Sequence, residues 1–219
     1  MQVDFKKEFI KLRGESRPMN RKIMDRARAL NLPLFSRILK KGRSQLGCSS
    51  PRPLDDVESK DMMMCTLLFG ALGLKYNHII QIGGNFGNLP RLIEGIVDYS
   101  KWTIVDDPNK IKIQKWFLEQ ELKINFNKIE FISCNEFSKW QKSLKEADLS
   151  IGIHSLSKFS MEDFKDYYRG VIMKCKNLFF VAYKDKVNCK LDLIAKNFSP
   201  LGTLYTENES ITNTIFQRK

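Results

Sequence analysis

The segment from His78 to Asp106 constrains the fold of this 219-residue chain more than any other. An apolar run, Ile79–Ile82, breaks into a turn that contains three glycines, after which the chain resumes as an amphipathic helix. The next apolar run stops at Asp106. This order of strand, glycine-rich turn, helix, strand and acid is typical of the first crossover unit of a nucleotide-binding α/β sheet.

The glycine turn and the acid support one interpretation together. Glycines let the chain reverse tightly and let a ligand lie against bare backbone at the start of the next helix. A carboxylate at Asp106, about twenty residues on, can accept hydrogen bonds from both hydroxyls of a ribose. We interpret the segment as a site for a nucleotide-type ligand, because a plain strand-to-helix turn would leave Asp106 unexplained.

Strands and helices alternate after His78 with the short connections of a doubly wound sheet. The pattern predicts strands at 78–82, 102–106, 128–133, 147–154 and 177–184, and helices at 87–98, 109–122, 136–145, 160–175 and 189–197. Two closing strands, 201–206 and 211–217, are joined by the polar turn 207–210. A dehydrogenase-type sheet would continue with parallel units, whereas a methyltransferase-type sheet takes in an antiparallel last strand. We predict a Rossmann-like, mostly parallel seven-stranded sheet with an antiparallel last strand.

The first third of the chain has a helical pattern, with candidate helices at 4–12, 19–30, 33–42 and 54–73. We therefore predict a helical N-terminal extension or cap at 1–75 and a Rossmann-like domain at 76–219. The formal net charge is +12, and residues 1–60 hold fifteen Lys and Arg against seven Asp and Glu, an excess of eight. This basic segment is either a solvated helical face or a surface for the phosphates of a nucleotide-sugar, a lipid headgroup or a nucleic acid.

Cysteine usage and hydropathy give an expectation about location. The five cysteines are odd in number and are scattered without CxxC or Cys/His ligand spacing, so we expect reduced thiols. No apolar stretch is long enough for a signal peptide or a membrane-spanning helix. We expect a cytoplasmic protein with no membrane span. The sequence shows no cluster of His and carboxylate residues, so it does not support a metal-dependent mechanism.

Three sequence blocks resemble the class I methyltransferases that use S-adenosylmethionine, and within them the sugar O-methyltransferases of bacterial polysaccharide clusters. The blocks are IIQIGGNFGNLPRL (79–92), TIVDDPNKIKIQKWFLEQEL (103–122) and DLSIGIHSLSKFSMEDFKDYY (148–168). The chain departs from that family at Gln81, where an acid is usual, at Asn85, where a glycine is usual, and at Lys158, where a glutamate is expected. Asn tolerates left-handed backbone angles better than most residues, so the turn at Asn85 is expected to persist.

The resemblance implies a site at the carboxyl ends of the strands, where open α/β sheets bind ligands. The glycine turn would approach the methionine portion of the cofactor, Asp106 the ribose, and the region of Cys134 and Asn135 the adenine ring. The predicted cofactor-binding residues are Gln81, Gly83, Gly84, Asn85, Phe86, Gly87, Asp106, Asp107, Cys134 and Asn135. The implied activity is methyl transfer to a hydroxyl of a sugar or glycan precursor.

One histidine, His154, is the last residue of the predicted fourth strand, which by the resemblance borders the methyl group. The imidazole side chain type has an ordinary pKa near neutrality and suits a base that removes the hydroxyl proton; the other interpretation is that His154 only packs or caps a backbone group. Ser155 and Ser157 are expected either to orient a sugar hydroxyl or to satisfy the loop backbone. His78, the other histidine, opens the first strand and is expected to be structural.

Two alternatives to a sugar methyltransferase stay open. A nucleic-acid methyltransferase would use the basic helices as its electrostatic footprint, although the segment 152–156 lacks the Asn/Asp-Pro-Pro-aromatic signature of enzymes that methylate base amines. A catalytically degenerate module would keep the fold as a binding scaffold, for which Gln81, Asn85 and Lys158 are the motivation. The sequence does not specify the acceptor hydroxyl or the oligomeric state.

Overall fold

The computed structural model describes residues 4–5, 7–9, 21–42, 56–122, 126–183, 188–205 and 211–219. The chain divides into two compact units that interleave along the sequence. The first, which we call the helical unit, comprises residues 1–75, 84–98 and 109–127. The second, which we call the sheet unit, comprises residues 76–83, 99–108 and 128–219. The predicted division into an N-terminal extension at 1–75 and a Rossmann-like domain at 76–219 stays a prediction.

Seven strands form one sheet in the order β3-β2-β1-β4-β5-β7-β6. The strands are β1 (Lys75–Ile82), β2 (Asp98–Asp106), β3 (Ile129–Ser133), β4 (Ala147–Ile153), β5 (Cys175–Tyr183), β6 (Phe198–Tyr205) and β7 (Ile211–Arg218). β2 pairs with β3, β1 with β4 and β4 with β5 in parallel, while β7 runs antiparallel to both β5 and β6. The predicted seven-stranded, mostly parallel sheet with an antiparallel last strand is confirmed.

The sheet unit has its own hydrophobic core, built from alternate residues of its strands. Ile80 and Ile82 of β1 point to the same cluster as Leu178, Phe180 and Ala182 of β5. Four helices belong to this unit: α6 (Phe137–Ser143), α7 (Ser155–Lys158), α8 (Met161–Gly170) and α9 (Asn188–Ala195). Their buried residues, such as Leu156, Phe164 and Ile194, complete the cluster. The alternation of side chains along these strands thus places every second residue in this cluster.

Two predicted helices are shorter in the structure than the sequence suggested. The helix expected at 87–98 is α4, Asn88–Ile93, because Gly95 adopts a positive φ of 68° and β2 already begins at Asp98. The helix expected at 160–175 ends at Gly170 and is followed by a 3-10 turn, Ile172–Lys174. Glycine has low helix propensity, and a β-carbon at Gly170 would overlap the side chain of Gln141.

The closing hairpin also differs in detail from the prediction. β6 begins at Phe198, three residues earlier than expected, and includes Pro200. Proline is tolerated there because β6 is the edge strand of the sheet, and the pairing with β7 shifts register between Pro200 and Gly202. The polar turn predicted at 207–210 lies outside the described residues.

The helical unit contains α1 (Arg21–Leu30), α2 (Leu32–Leu39), α3 (Asp56–Leu72), α4 and most of α5 (Pro108–Leu122). Asn31 separates α1 from α2, and its side chain caps α2 by accepting a hydrogen bond from the Leu34 amide at 3.1 Å. α3 carries a buried run, Met62–Cys65. Of the helix predicted at 4–12, residues 5 and 7–9 are helical, and residues 6 and 10–12 lie outside the described residues.

Four of the five cysteines lie in the described part of the chain and all four are free thiols: Cys65, Cys134, Cys175 and Cys189. Burial raises the pKa of the Cys175 thiol to about 12, so it stays protonated in the core. Within the ranges that the structure describes, the helices are too short or too polar to cross a bilayer.

Candidate functional site

Gly83 ends β1 and begins the glycine turn in the sheet unit. Its φ is +78°, a left-handed conformation that side chains rarely adopt. Its amide donates to the carbonyl oxygen of Val105 at 2.8 Å, which fixes the start of the turn beside the end of β2. A β-carbon on Gly83 would lie 2.5 Å from Cβ of Ser155. Glycine is therefore required here by backbone geometry and by the close approach of Ser155.

The turn continues in the helical unit, where Asn85 has a φ of +50°. The expectation that asparagine would tolerate a left-handed conformation at this position is confirmed. The carbonyl oxygen of Asn85 accepts a hydrogen bond from Gln114 Nε2 at 2.8 Å. Gly87, with φ +97°, precedes α4, and a β-carbon there would lie 3.1 Å from Leu118 Cδ1. Asn85 and Gly87 thus shape the turn through their backbones.

Phe86 was predicted to contact the cofactor, but its side chain is fully buried. Its ring packs edge-on against Phe9 and Phe117, with ring centroids 5.4 and 5.3 Å apart. This aromatic cluster is part of the core of the helical unit. Only the backbone of Phe86 is therefore available to a ligand, and the aromatic character of the residue has a packing explanation.

The amide of Gln81 is engaged by its neighbours within the sheet unit. Trp102 Nε1 donates to Gln81 Oε1 at 3.2 Å, and Gln81 Nε2 donates to the carbonyl oxygen of Gly83 at 3.3 Å. The side chain is 2% exposed. A carboxylate at this position could accept from the indole but could not donate to the Gly83 carbonyl. The departure from the usual acid therefore has a structural role, which is to hold the first residue of the turn.

Asp106 lies at the end of β2, next to the end of β3. Its Oδ1 atom accepts a hydrogen bond from the Asp107 amide at 2.8 Å, and its carbonyl oxygen accepts one from the Cys134 amide at 2.9 Å. Asp106 is 9% exposed, whereas Asp107, Cys134 and Asn135 are exposed. The structure thus brings the predicted ribose and adenine residues of the sheet unit together at one edge of the sheet.

Tyr167 of α8 is a residue of this edge that the sequence analysis missed. Its ring stacks on Phe137 with centroids 3.9 Å apart and lies 4.8 Å from the ring of Phe159. Burial, together with the smaller effects of the nearby Cys134, Asp106 and Asp163, raises the pKa of Tyr167 to about 12. The phenol is therefore a protonated donor at neutral pH, within electrostatic range of Asp106. The sequence signal that could have identified Tyr167 was its position four residues after Asp163, which places both residues on one face of α8.

His154 follows β4 directly and adopts a left-handed conformation, with φ +56°. Its amide donates to the carbonyl oxygen of Val181 at 2.9 Å, which continues the pairing of β4 with β5. Because β4 is the neighbour of β1, this residue lies at the same edge of the sheet as Gly83. The tight turn at His154 leads at once into the short helix α7, which the sequence did not predict.

The hydroxyls of Ser155 and Ser157 both donate to backbone carbonyls. Ser155 Oγ donates to the Ile82 carbonyl, and Ser157 Oγ donates to the His154 carbonyl at 3.1 Å. Of the two interpretations that the sequence left open for these serines, the structure supports satisfaction of the loop backbone. Lys158, the third departure from the family pattern, is exposed at the end of α7.

Lys190 of α9 is a second residue that the sequence analysis missed. It is 6% exposed, and its Nζ atom donates to the carbonyl oxygens of Leu156, Ser157 and Phe159 at 2.9, 2.8 and 2.6 Å. Burial lowers the pKa of Lys190. The available signal was a lysine beside the apolar residues Leu191, Leu193 and Ile194.

His78 has a structural environment, as expected. Burial and the nearby Lys101 lower the pKa of His78, and its Nε2 atom lies 2.8 Å from Thr103 Oγ1. β1 begins at Lys75, so His78 lies inside the strand rather than at its start. Among the described residues, His, Cys, Asp and Glu form no group of three that could hold a metal ion.

No protein-family model matches the sequence, and no curated protein matches it either. Solved structures do resemble the fold. The methyltransferase domain of bacterial CtHen1-C has a TM-score of 0.60 at 11% identity, over 73% of this chain and 96% of that one. TrmK of M. capricolum, solved with S-adenosylhomocysteine, has a TM-score of 0.55 at 13% identity, over 73% and 68%. An rRNA methylase from Streptococcus thermophilus has a TM-score of 0.51 at 13% identity, over 72% and 95%.

At these identities the similarity establishes the fold alone. The chain has the class I methyltransferase fold, with the strand order and the antiparallel β7 described above. The narrower resemblance to sugar O-methyltransferases concerns function and belongs to the proposal that follows.

Proposed function

We propose that the protein is an S-adenosylmethionine-dependent methyltransferase that acts on a hydroxyl of a sugar or glycan precursor. One observation carries the proposal. The Gly83 amide is bonded to the carbonyl oxygen of Val105, the residue before Asp106, so that a left-handed turn and a carboxylate lie side by side at the carboxyl ends of β1 and β2. This is the place where an open α/β sheet binds a nucleoside.

The residues of the sheet unit fit the cofactor in their chemistry. Asp106 is the candidate for the ribose hydroxyls, since a carboxylate offers acceptor sites beyond the one used by the Asp107 amide. Cys134 and Asn135 are exposed beside it and are the candidates for the adenine ring. Gly83 is the candidate of this unit for the methionine portion, and the assignment of Gly84 and Asn85 to the same portion stays a prediction. Gln81 would act through the turn that it holds.

His154 is the proposed base. When bound, S-adenosylmethionine supplies the methyl group of its sulfonium centre, and the rest of the cofactor departs as a neutral thioether. His154 would accept the hydroxyl proton as the new bond forms, which needs a neutral imidazole within hydrogen-bond reach of the acceptor. Ser155 and Ser157 would hold the segment that presents His154.

The choice of a sugar acceptor rests on the resemblance of the blocks 103–122 and 148–168. A nucleic-acid acceptor is the second candidate, and charge favours it. Residues 21–42 contain seven Lys and Arg and one Asp, and the cations with described side chains are all exposed: Arg21, Lys22, Arg28, Arg37, Lys40 and Lys41. One structurally similar protein, that from Streptococcus thermophilus, is an rRNA methylase. Backbone phosphates would account for this charge, and a neutral sugar would not.

Calorimetric titration with S-adenosylhomocysteine tests the cofactor half of the proposal. Micromolar affinity that Asp106→Ala abolishes would support it. A folded protein that does not bind at millimolar ligand would contradict it and favour a degenerate binding module. Methyl transfer from labelled S-adenosylmethionine to nucleotide-sugars and to RNA, each at low and high salt, then separates the two acceptors, because binding to RNA weakens steeply with salt.

A further inference from the structure

The ammonium group of Lys190 is saturated by one short segment of the sheet unit. A lysine ammonium has three N–H donors, and each is matched by one carbonyl oxygen, from Leu156, Ser157 and Phe159. These carbonyls lie at the C-terminal end of α7, where the helix leaves them without intrahelical partners and where a cation is favoured. Lys190 alone therefore donates the three hydrogen bonds that three separate donors would otherwise have to provide at the end of α7.

The opposite end of α7 is fixed by a different contact. Ser155 donates to the Ile82 carbonyl, and its Cβ atom occupies the space that a side chain on Gly83 would need. His154 lies between β4 and this contact, with its amide bonded to Val181. The position of His154 thus depends on a segment held at one end by the glycine turn and at the other by Lys190.

A four-residue helix cannot hold its own conformation, because isolated helices need about 12–15 residues to be even marginally stable in water. The conformation of α7 must therefore come from outside the helix. Leu156 contributes by burial against Gly152, where a β-carbon would lie 2.3 Å from Leu156 Cδ1. The remaining polar anchor at its C-terminal end is Lys190.

We propose that Lys190 is a positioning residue for the active site: its buried ammonium group orients the segment from His154 to Phe159 and thereby sets the position of the His154 imidazole. This deepens the proposed function, since it assigns a role in catalysis that rests on His154 being the base. Without the ammonium group, three buried carbonyls lose their donors, which favours rearrangement of the segment.

The chain offers a matched control for the experiment. Lys174 also clamps backbone carbonyls in the sheet unit, those of Gln141 and Leu144 at 2.6 and 2.8 Å, at the end of α6. Lys174→Met removes a comparable set of bonds away from His154. His78 provides an internal reference, because the chain has only two histidines and their ring signals can be assigned by NMR.

The experiment compares Lys190→Met with Lys174→Met in the full chain by histidine NMR and by amide hydrogen exchange. Lys190→Met is expected to shift the ring signals of His154 but not those of His78, and to speed exchange at residues 154–159 at least about tenfold more than Lys174→Met does. An unchanged His154 signal in a folded Lys190→Met protein would overturn the proposal. So would equal effects of the two substitutions.

If Lys190→Met does not fold, Lys190→Gln keeps two N–H donors without the charge, and the same two readouts decide. Neither readout needs the cofactor. If the NMR and exchange results contradict the role of Lys190, the S-adenosylhomocysteine titration still tests cofactor binding independently. If the titration shows no binding, the effect of Lys190 on His154 can still be measured.

Discussion

Replacement of Asp106 is the most direct test of the candidate site. Asp106→Asn keeps an oxygen for the Asp107 amide, which lies 2.8 Å from Oδ1. It removes the charge and one acceptor, so that one of two charge-assisted hydrogen bonds to a ribose is lost. A hydrogen bond to a charged group contributes about 2 kcal/mol, so the dissociation constant for S-adenosylhomocysteine should rise about 30-fold. Asp106→Ala loses both bonds, about 4 kcal/mol together, and the expected rise is about 900-fold.

Calorimetric titration measures these constants, and Asp148→Asn is the control. Asp148 is a carboxylate of the same sheet unit that accepts hydrogen bonds from the Asn77 and His78 amides at 2.6 and 3.1 Å, near the start of β4. Its loss should lower the melting temperature without changing affinity. If Asp106→Asn binds as tightly as the wild type, or if Asp148→Asn weakens binding equally, the assignment of Asp106 to the ribose is wrong.

Three further predictions concern the same unit. His154→Gln should lower the rate of methyl transfer about 10²–10⁴-fold and leave S-adenosylhomocysteine affinity unchanged; a parallel loss of binding would show that His154 is not a base. Tyr167→Ala should weaken that affinity about tenfold, whereas Tyr167→Phe, which keeps the stack on Phe137, should stay within about threefold. Burial alone would raise the pKa of Asp148, but its bonds to Lys176 and the backbone outweigh this and lower it. The unfolded state then binds more protons, so stability should fall as the pH drops below about 4, and Asp148→Asn should flatten that part of a urea-denaturation profile.

The sheet was predictable because its signals are local and repeated. Apolar runs bounded by turn residues located every strand within a few residues, and the closing hairpin indicated the antiparallel β7. The elements that differed are those decided by tertiary contacts. Gly170 ends α8 where a side chain would overlap Gln141, and α7 is too short to leave a periodic signal.

The candidate site was predictable in its positions and less so in its contacts. Strand ends identified Asp106, Cys134 and His154, because parallel strands bring their carboxyl ends to one edge. The environment of Gln81 depends on Trp102, which is 21 residues away, and that of Ser155 on Ile82, 73 residues away. Such pairings have no signature in a single sequence. Tyr167 and Lys190 left local signals in the sequence, but those signals did not indicate their partners.

The position of β7 has a consequence for how the sheet unit is assembled during synthesis. β6 reaches the sheet only through β7, and β5 has no partner on that side until residues 211–218 have been made. Until then β5 exposes a free edge that contains Phe179 and Val181, the kind of edge that pairs with other chains. The nascent protein therefore carries an aggregation-prone edge until β7 inserts, and cleavage within β7 would detach β6 from the sheet and expose the edge again.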